Sequence, residues 1–460
     1  METGHPEVPD QAASTSQSPG AERILGVYPQ RQQGLFMQRI KILGGRISWR
    51  QWRKVVELAR RYSKRSTIHI TTRQDIELHD IAGPHLQVIQ QELANVGLVT
   101  HGACGDCVRN ITVCSGCTHN RDSGGAFSAA RLVYEHLADS SRGLPRKFKI
   151  SFSGCLLACA RPWVSDLGFV VQPNDHFAVI GAGSLGPRPG TGLLLYEDIV
   201  PQDILPLCLA TLEFFKECGD REDRSRARLR HLRAQLGDGQ FKTQLDARFA
   251  RLRSSGDWPD VPKRICRRDL RLLWRLQLPN GNIGLDDAIQ LAEAAELSDA
   301  QLRIDLEHGL GLFGDRAFTL PDRLAALENL PILIACPGLS SCSKAITDTW
   351  AVADAIRQRL SRIPRPNLRI SLSGCPNSCA HSAVADIGLT GMRRNRDGQS
   401  AECFRLLTGG HNATDDHQAV AGEVIFAEDV PAAVERLISS AKIQPPGPSE
   451  GDLENALRRV

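Results

Sequence analysis

The sequence lacks the features of a membrane-spanning or exported protein. Its 460 residues contain no run of about 18 apolar residues, the length that a transmembrane helix requires. The first 20 residues have neither a basic start nor an apolar centre, so they do not resemble a secretory signal. We therefore expect no membrane span, a cytoplasmic location, and cysteines that are reduced rather than paired in disulfides.

The excess of positive over negative charge is also small. The net charge is only +4, and the densest basic run, from Arg221 to Arg233, mixes acids with arginines and contains no aromatic residue. Nucleic-acid-binding surfaces normally carry a stronger positive field than this. We interpret the run as an exposed helix face and expect no nucleic-acid partner.

Cysteine, by contrast, is abundant and clustered. Ten of the 14 cysteines form five close groups: Cys104 with Cys107, Cys114 with Cys117, Cys155 with Cys159, Cys336 with Cys342, and Cys375 with Cys379. Such grouping is typical of thiols that bind metal or carry out redox chemistry. Cys104 and Cys107 could equally be inert packing residues.

One stretch of the sequence occurs twice. "KISFSGCLLACARPWVSDLGFV" (149–170) and "RISLSGCPNSCAHSAVADIGLT" (369–390) are identical at 10 of 22 positions, and they lie 220 residues apart. A strand, helix, strand pattern precedes each copy; in the first, "WRQWRKVVELARRY" has helical periodicity and "TIHITTRQDIEL" alternates as a strand does. The repeat predicts two pseudo-equivalent halves with a site between them.

The second copy carries the sharpest metal-binding pattern. Cys375 and Cys379 have the i, i+4 spacing that places two side chains on one face of a helical turn, and Cys336 and Cys342 lie just upstream. Four thiolates suit a cubane iron-sulfur cluster, with structural zinc as the alternative. Zinc sites usually use Cys-x2-Cys pairs, so the longer spacings favour the cluster.

A second group of residues is basic. Lys147 and Lys149 alternate in "LPRKFKIS", which on a strand directs both side chains to the same side. With Arg39, Arg73 and Arg109 they can form a pocket for an anion. Any one of the five alone would be an ordinary surface residue.

Together these motifs resemble the siroheme-containing sulfite and nitrite reductase family. The resemblance extends from about residue 22 to about residue 438. It is strongest in "MQRIKILGG", "ITTRQD", "GDCVRN", "LPRKFK", "ACPGLSSC" and "SGCPNSCA". It implies an α+β fold with pseudo-twofold duplication, in which two ferredoxin-like half-domains accompany two α/β halves. It also implies the six-electron reduction of sulfite to sulfide or of nitrite to ammonia.

The resemblance assigns roles to individual residues. The 4Fe-4S cluster would be held by Cys336, Cys342, Cys375 and Cys379, and Cys379 would bridge it to the siroheme iron. The oxyanion would be bound by Arg39, Arg109, Lys147 and Lys149. The siroheme would be contacted by His69, Arg73, Asn110 and Asn377, although the family often has arginine where this chain has His69.

The predicted units follow from the repeat and the resemblance. They are an N-terminal tail (1–21), a ferredoxin-like half-domain (22–98), an α/β half (99–245), a second ferredoxin-like half-domain (246–329), a second α/β half (330–440) and a C-terminal tail (441–460).

The first half departs from the family in its cysteines. Cys114, Cys117, Cys155 and Cys159 occupy the position that we expect to be empty in most members. They either hold a second cluster that receives electrons or leave the first copy empty.

No complete flavin, nicotinamide or ferredoxin motif accompanies these residues, so electrons would come from a ferredoxin or another donor protein. Two other functions stay open: an oxygenase of the corrin pathway similar to precorrin-3B synthase, and a non-catalytic iron-sulfur electron-transfer subunit. An anion pocket has no obvious use for a corrin ring, which favours the reductase. Sulfite and nitrite are alternative substrates.

Overall fold

The computed structural model describes residues 23–115, 124–137, 142–154, 156–172, 174–262, 270–362, 368–411 and 418–440. The predicted tails, Cys117 and Cys155 lie outside these ranges. Among the helices within them, none has the length and apolar character needed to cross a membrane.

Four groups of elements follow one another along the described chain. The first contains β1 (Val27–Pro29), β2 (Leu35–Ile40), β3 (Arg46–Ile47), α1 (Trp49–Tyr62), β4 (Thr67–Ile70), β5 (Ile76–Ala82) and α2 (Leu86–Asn95). The second contains β6 (Thr112–Val113), α3 (Gly124–His136), β7 (Ile150–Ser153), β8 (Leu167–Val171), β9 (Phe177–Gly181), β10 (Leu193–Ile199), α4 (Ile204–Cys218), α5 (Leu229–Leu236) and α6 (Asp238–Arg253). The third contains β11 (Arg271–Gln277), β12 (Asn282–Gly284), α7 (Leu285–Leu297), β13 (Gln301–Ile304), β14 (Gly309–Gly314) and α8 (Asp322–Ala325). The fourth contains β15 (Leu333–Ala335), α9 (Thr349–Leu360), β16 (Ile370–Ser373), β17 (Ile387–Arg396), β18 (Gln399–Thr408), β19 (Val420–Phe426) and α10 (Val430–Ser439).

The sheets of the first and third groups exchange strands. Their orders are β1-β2-β5-β4-β12 and β11-β14-β13-β3, so each contains one strand from the other half of the chain. The helices α1 and α7 pack in one shared core, where the indole Nε1 of Trp52 donates a hydrogen bond to the carbonyl of Ala288 at 3.1 Å. The first and third groups therefore form a single body.

The sheets of the second and fourth groups have the same topology. In the orders β6-β7-β8-β9-β10 and β15-β16-β17-β18-β19, three parallel strands are followed by two antiparallel ones. The central strands of the two parallel sets, β7 and β16, are buried along their whole length, as expected for parallel strands covered on both faces. This architecture confirms the predicted duplicated α+β fold. Each repeated cysteine turn follows one of these two central strands.

The two copies meet at equivalent positions. Val164 and Val384, 220 residues apart, pack in one small buried cluster. The Arg161 guanidinium contacts Nδ1 of His381, and both residues have left-handed backbones with φ of 61° and 62°. Contact between equivalent residues indicates that the pseudo-twofold axis passes close to this point.

Two predictions about the first α/β half need correction. The proposed boundary between residues 245 and 246 falls inside α6, where Leu245 and Phe249 pack in the core of the same unit. That half therefore continues to Arg253. The basic run is also not simply an exposed helix face, because α5 begins only at Leu229 and Arg228 is buried.

Candidate active site

The cysteine turn after β16 is not helical, so the predicted helical turn is wrong. The N–H of Ser378 donates to the carbonyl of Cys375 at 3.3 Å, and Ser378 has φ of 53°. A left-handed residue interrupts a right-handed helix, which converts the segment into a tight turn. Cys375 is left half-buried and Cys379 exposed.

The other two cysteines of the second half approach this turn. Cys336 follows β15, and its Sγ accepts a hydrogen bond from the N–H of Gly374 at 3.2 Å. Burial, and then the thiolates of Cys379 and Cys342, raise the pKa of Cys336 to about 12. The pKa values of Cys342 and Cys375 are raised by burial and by neighbouring thiolates as well. The four sulfurs therefore lie close enough to repel one another as thiolates, a repulsion that bound metal cations would relieve.

The donor set fits a 4Fe-4S cluster. Thiols from the loops after β15 and β16 approach one another, and four thiolates are the ligands that such a cluster uses. Hydrogen bonds to the sulfurs from Gly374 and from the backbone of Asn377 would stabilise the thiolate form.

Residues of the first half hold the cysteine loops of the second. The Thr72 hydroxyl donates to the Cys379 carbonyl at 2.8 Å, and Nη2 of Arg31 donates to the Ala345 carbonyl at 3.0 Å. Neither contact was predicted, because each joins a side chain to a backbone carbonyl more than 300 residues away. These contacts bring the two halves together at the cysteines.

The predicted lysine pair lies on the first-half side of this junction. Lys147 and Lys149 flank Phe148, whose buried ring packs in the core while its backbone bridges to Val108. Burial, and then the positive charges of Arg228 and Arg109, lower the pKa of Lys147 to about 7, whereas the Cys379 thiolate acts in the opposite direction. Lys147 therefore lies within electrostatic range of Cys379.

Lys149, like Lys147, is half-buried. Burial, followed by the positive charges of Arg73 and Lys147, holds its pKa well below the usual value. Within the described part of the chain, its ammonium makes no hydrogen bond or ion pair. Such an amine is free to bind an anionic ligand and to exchange protons with it.

The two predicted arginine clamps are anchored by the protein. Nε of Arg39 donates to Oε1 of Glu77 at 2.9 Å. Nε and Nη1 of Arg109 donate to the carbonyls of Gly105 at 3.0 Å and Ala103 at 2.9 Å. The guanidinium groups are thus fixed in position and remain charged.

Arg73 and Asn110 contact each other near Lys149. Nη2 of Arg73 contacts the Asn110 carbonyl, and Nδ2 of Asn110 donates to the Arg73 carbonyl at 3.0 Å. The buried Nε of Arg73 and Oδ1 of Asn110 have no hydrogen-bond partner within the described residues. Buried polar atoms without partners are costly, so their presence fits a polar macrocycle bound against them.

His69 is a neutral side chain at this site. Its Nδ1 lies 3.1 Å from Oδ1 of Asn282, and burial lowers its pKa to about 4. The imidazole is therefore uncharged near pH 7. His69, which stands where the family often has arginine, is therefore not expected to change its charge around pH 7.

Two charged residues near this group were missed. Lys41 lies two positions after Arg39, with Nζ 4.7 Å from the ring centroid of Tyr134. Asp75 is buried, and burial raises the pKa of its carboxyl to about 6. The available signal was the i, i+2 alternation of Arg39 and Lys41, the same pattern that identified Lys147 and Lys149.

The first-half cysteine turn resembles its counterpart wherever it is described. The N–H of Gly154 donates to Sγ of Cys114 at 3.0 Å, as Gly374 does to Cys336. Ala158, just before Cys159, has φ of 51° and so matches Ser378.

Cys104 and Cys107 are fully buried, and burial raises the pKa of both thiols. A buried thiol with a raised pKa is a poor nucleophile. This favours a packing role for the pair.

Comparison with known proteins identifies the family. The profile "Nitrite and sulphite reductase 4Fe-4S domain" matches residues 104–252 and 329–440, and "Nitrite/Sulfite reductase ferredoxin-like half domain" matches residues 28–96. These matches confirm the resemblance found in the sequence.

Individual relatives match along most of the chain. The chloroplastic ferredoxin–nitrite reductase of Arabidopsis thaliana is 27% identical over 90% of this chain and 78% of its own length. The ferredoxin–nitrite reductase of Synechococcus elongatus is 28% identical, over 88% and 86%. The solved structure of the Mycobacterium tuberculosis NirA protein shares the fold with a TM-score of 0.77 at 21% identity, covering 95% of this chain and 89% of that one. The chain therefore belongs to the nitrite and sulphite reductase family, and the protein is an oxidoreductase.

Proposed function

We propose that this protein reduces a small oxyanion, nitrite or sulfite, by six electrons at a siroheme and a 4Fe-4S cluster held between its two halves. The observation that carries the proposal is the contact between the two halves at the cysteine turn, where the Thr72 hydroxyl donates to the Cys379 carbonyl at 2.8 Å. Thr72 precedes Arg73, so this contact joins the cationic side of the first half to the cysteines of the second. A cationic pocket beside a cluster site is what the reduction of an anion requires.

The cysteines and polar residues divide into two sets. The cluster would be held by Cys336, Cys342, Cys375 and Cys379, of which Cys379 is exposed. The macrocycle would be held by His69, Arg73, Asn110 and Asn377. When bound, the two cofactors supply electrons singly to the anion, chemistry that no side chain provides.

The cationic residues bind the anion and supply protons. Arg39 and Arg109 keep their charge and orient the anion from fixed positions. Lys147 and Lys149 release protons readily because burial lowers their pKa values. Each oxygen that leaves the substrate must be protonated, so lysines whose pKa values are lowered suit this task.

Electrons would come from a ferredoxin or a similar donor protein. The relatives named above are ferredoxin–nitrite reductases, which also favours nitrite over sulfite as the substrate. The cationic pocket favours a reductase over a corrin-ring oxygenase or a non-catalytic electron-transfer subunit, since neither needs to bind a small anion.

Steady-state kinetics with a chemical donor tests the proposal. Anaerobic protein loaded with siroheme and cluster should oxidise reduced methyl viologen when nitrite or sulfite is added, and ammonia or sulfide should accumulate. Nitrite should give the larger kcat/KM. Fully loaded protein that neither anion stimulates would contradict the proposed reaction.

The pKa of Lys147 predicts the pH dependence. A lysine with a pKa of about 7 is protonated, and so able to donate, only below that pH. We expect kcat/KM to fall as the pH rises through about 7. Lys147→Arg should remove that limb of the profile, since arginine stays charged. A limb that is identical in the variant would assign the titration to another group.

We further propose that the first-half cysteines hold a second cluster. Support comes from the matching N–H to sulfur bonds at Cys114 and Cys336 and from the matching left-handed residues Ala158 and Ser378. Iron and acid-labile sulfide should total about eight of each per siroheme, apart from the haem iron, and Cys114→Ser should reduce this to about four. About four in the unmodified protein would mean that the first copy is empty.

A further inference from the structure

A buried carboxylate anchors the strand that carries Lys149. Oδ2 of Asp166 accepts a hydrogen bond from the backbone N–H of Lys149 at 2.8 Å. The same carboxylate accepts from Arg228, at 2.7 Å from Nη2 to Oδ2 and at 3.2 Å from Nε to Oδ1. Asp166 is wholly buried and Arg228 is 8% exposed. The arginine comes from outside the sheet, in the segment before α5.

In the second half of the repeat, the equivalent carboxylate has a different positive partner. Asp386 accepts a hydrogen bond from the backbone N–H of Arg369 at 2.6 Å, as Asp166 does from Lys149. There, however, the side chain of Arg369 itself turns back to Asp386, with Nε 3.3 Å from Oδ2. The strand's own cation neutralises the carboxylate in the second half, and Arg228 does so in the first.

A carboxylate buried in this way requires a positive partner, because an unpaired buried charge is strongly destabilising. If Arg228 were absent, Lys149 would be the adjacent cation, since its backbone already contacts Asp166. Its long, flexible side chain can fold back as Arg369 does. We propose that Arg228 is a positioning residue that occupies Asp166 and so keeps the Lys149 ammonium free to face the bound oxyanion.

This inference rests on the proposed function, because it assigns the free lysine to the oxyanion site. The charges around Lys149 agree with it. Its pKa is lowered by burial, then by Arg73, Lys147 and Arg228, while Asp166 raises it. Without Arg228, one lowering charge is lost and Asp166 loses its hydrogen-bonded partner, while the charges of Arg73 and Lys147 remain. The amine of Lys149 would then stay protonated and paired, and would become a poor proton donor.

A pair of substitutions tests this role. Arg228→Gln should lower kcat for nitrite by about tenfold or more, with siroheme and iron contents unchanged. Adding Asp166→Asn should restore most of the loss, because the neutral amide no longer attracts Lys149 but still accepts its backbone hydrogen bond. A double variant that is no better than the single one would overturn the proposal. Because Asp166→Asn also removes an unpaired buried charge, rescue of kcat alone does not distinguish positioning from folding, and the titration of Lys149 makes that distinction.

The Lys149 pKa provides a readout that does not depend on turnover. In ¹³C-methylated protein, with the resonance assigned by Lys149→Arg, the Lys149 titration should move upward in Arg228→Gln and return in the double variant. Arg228→Lys, which keeps a cation beside Asp166, should leave the Lys149 titration as in the unmodified protein. So should Arg233→Gln, which removes a half-buried arginine of the same run that pairs with Asp238. An unmoved Lys149 titration in Arg228→Gln would refute the positioning role even in an active enzyme. Loaded, unmodified protein that reduces neither anion would refute the proposed function instead.

Discussion

Cys379→Ser is expected to reduce turnover to the background rate. The thiol lies in the turn after β16, is exposed, and acts electrostatically on Cys336, Cys342 and Cys375 as well as on Lys147. It therefore interacts with the other three proposed ligands and with a lysine of the cationic pocket. Serine offers a much weaker ligand to iron, so both cluster retention and electron delivery to the anion should fail together.

The variant is checked by iron and sulfide content and by viologen oxidation on the same sample. Cys218→Ser is the matched control, because Cys218 is also exposed but lies at the end of α4, away from the four ligands. It should keep full iron content and full activity. A Cys379→Ser protein that retains normal turnover would remove Cys379 from the site.

Lys149→Ala is expected to lower kcat by about 10²–10³-fold, the loss typical of removing one preorganised donor from a charge-stabilising site. Siroheme and iron contents should not change, since no contact joins the Lys149 side chain to a cluster ligand within the described residues. The backbone bond from Lys149 to Asp166 does not involve the side chain and should persist. The strand should therefore keep its position.

Absorption spectra and rates measured together separate the two effects. Lys242→Ala is a suitable control, because Lys242 pairs with Asp246 at 2.7 Å on the surface of α6. A Lys149→Ala protein with lost siroheme would show that the lysine holds the cofactor rather than the substrate. Unchanged turnover would remove Lys149 from the catalytic set.

Much of the fold could be predicted because its signals are local or repeated. The helix Trp49–Tyr62 begins with Ser48 and Gln51 in a capping box and has an apolar stripe, so its sequence specifies both its start and its buried face. The repeat predicted two equivalent halves without knowledge of any contact between them. The exchange of β3 and β12 between sheets has no local signal, since it depends on pairing across more than 200 residues.

The residues of the candidate site could be predicted where their spacing along the sequence indicates a shared face or a shared ligand. Lys147 and Lys149 were found from strand alternation, and the four cysteines of the second half from their grouping. Arg228 was not found, because its role depends on an aspartate 62 residues earlier that is itself hidden in a core. The basic run around it looks like a solvated helix, and only the fold reveals that one member is buried.

The absorption spectrum of protein purified anaerobically, after expression with siroheme supplied, tests the central claim most directly. We predict a strong Soret band and red bands of siroheme together with cluster absorption, all of them altered when nitrite or sulfite binds. A spectrum that contains cluster absorption alone, or no cofactor bands, would contradict the assignment of a siroheme and a cluster to one site between the two halves.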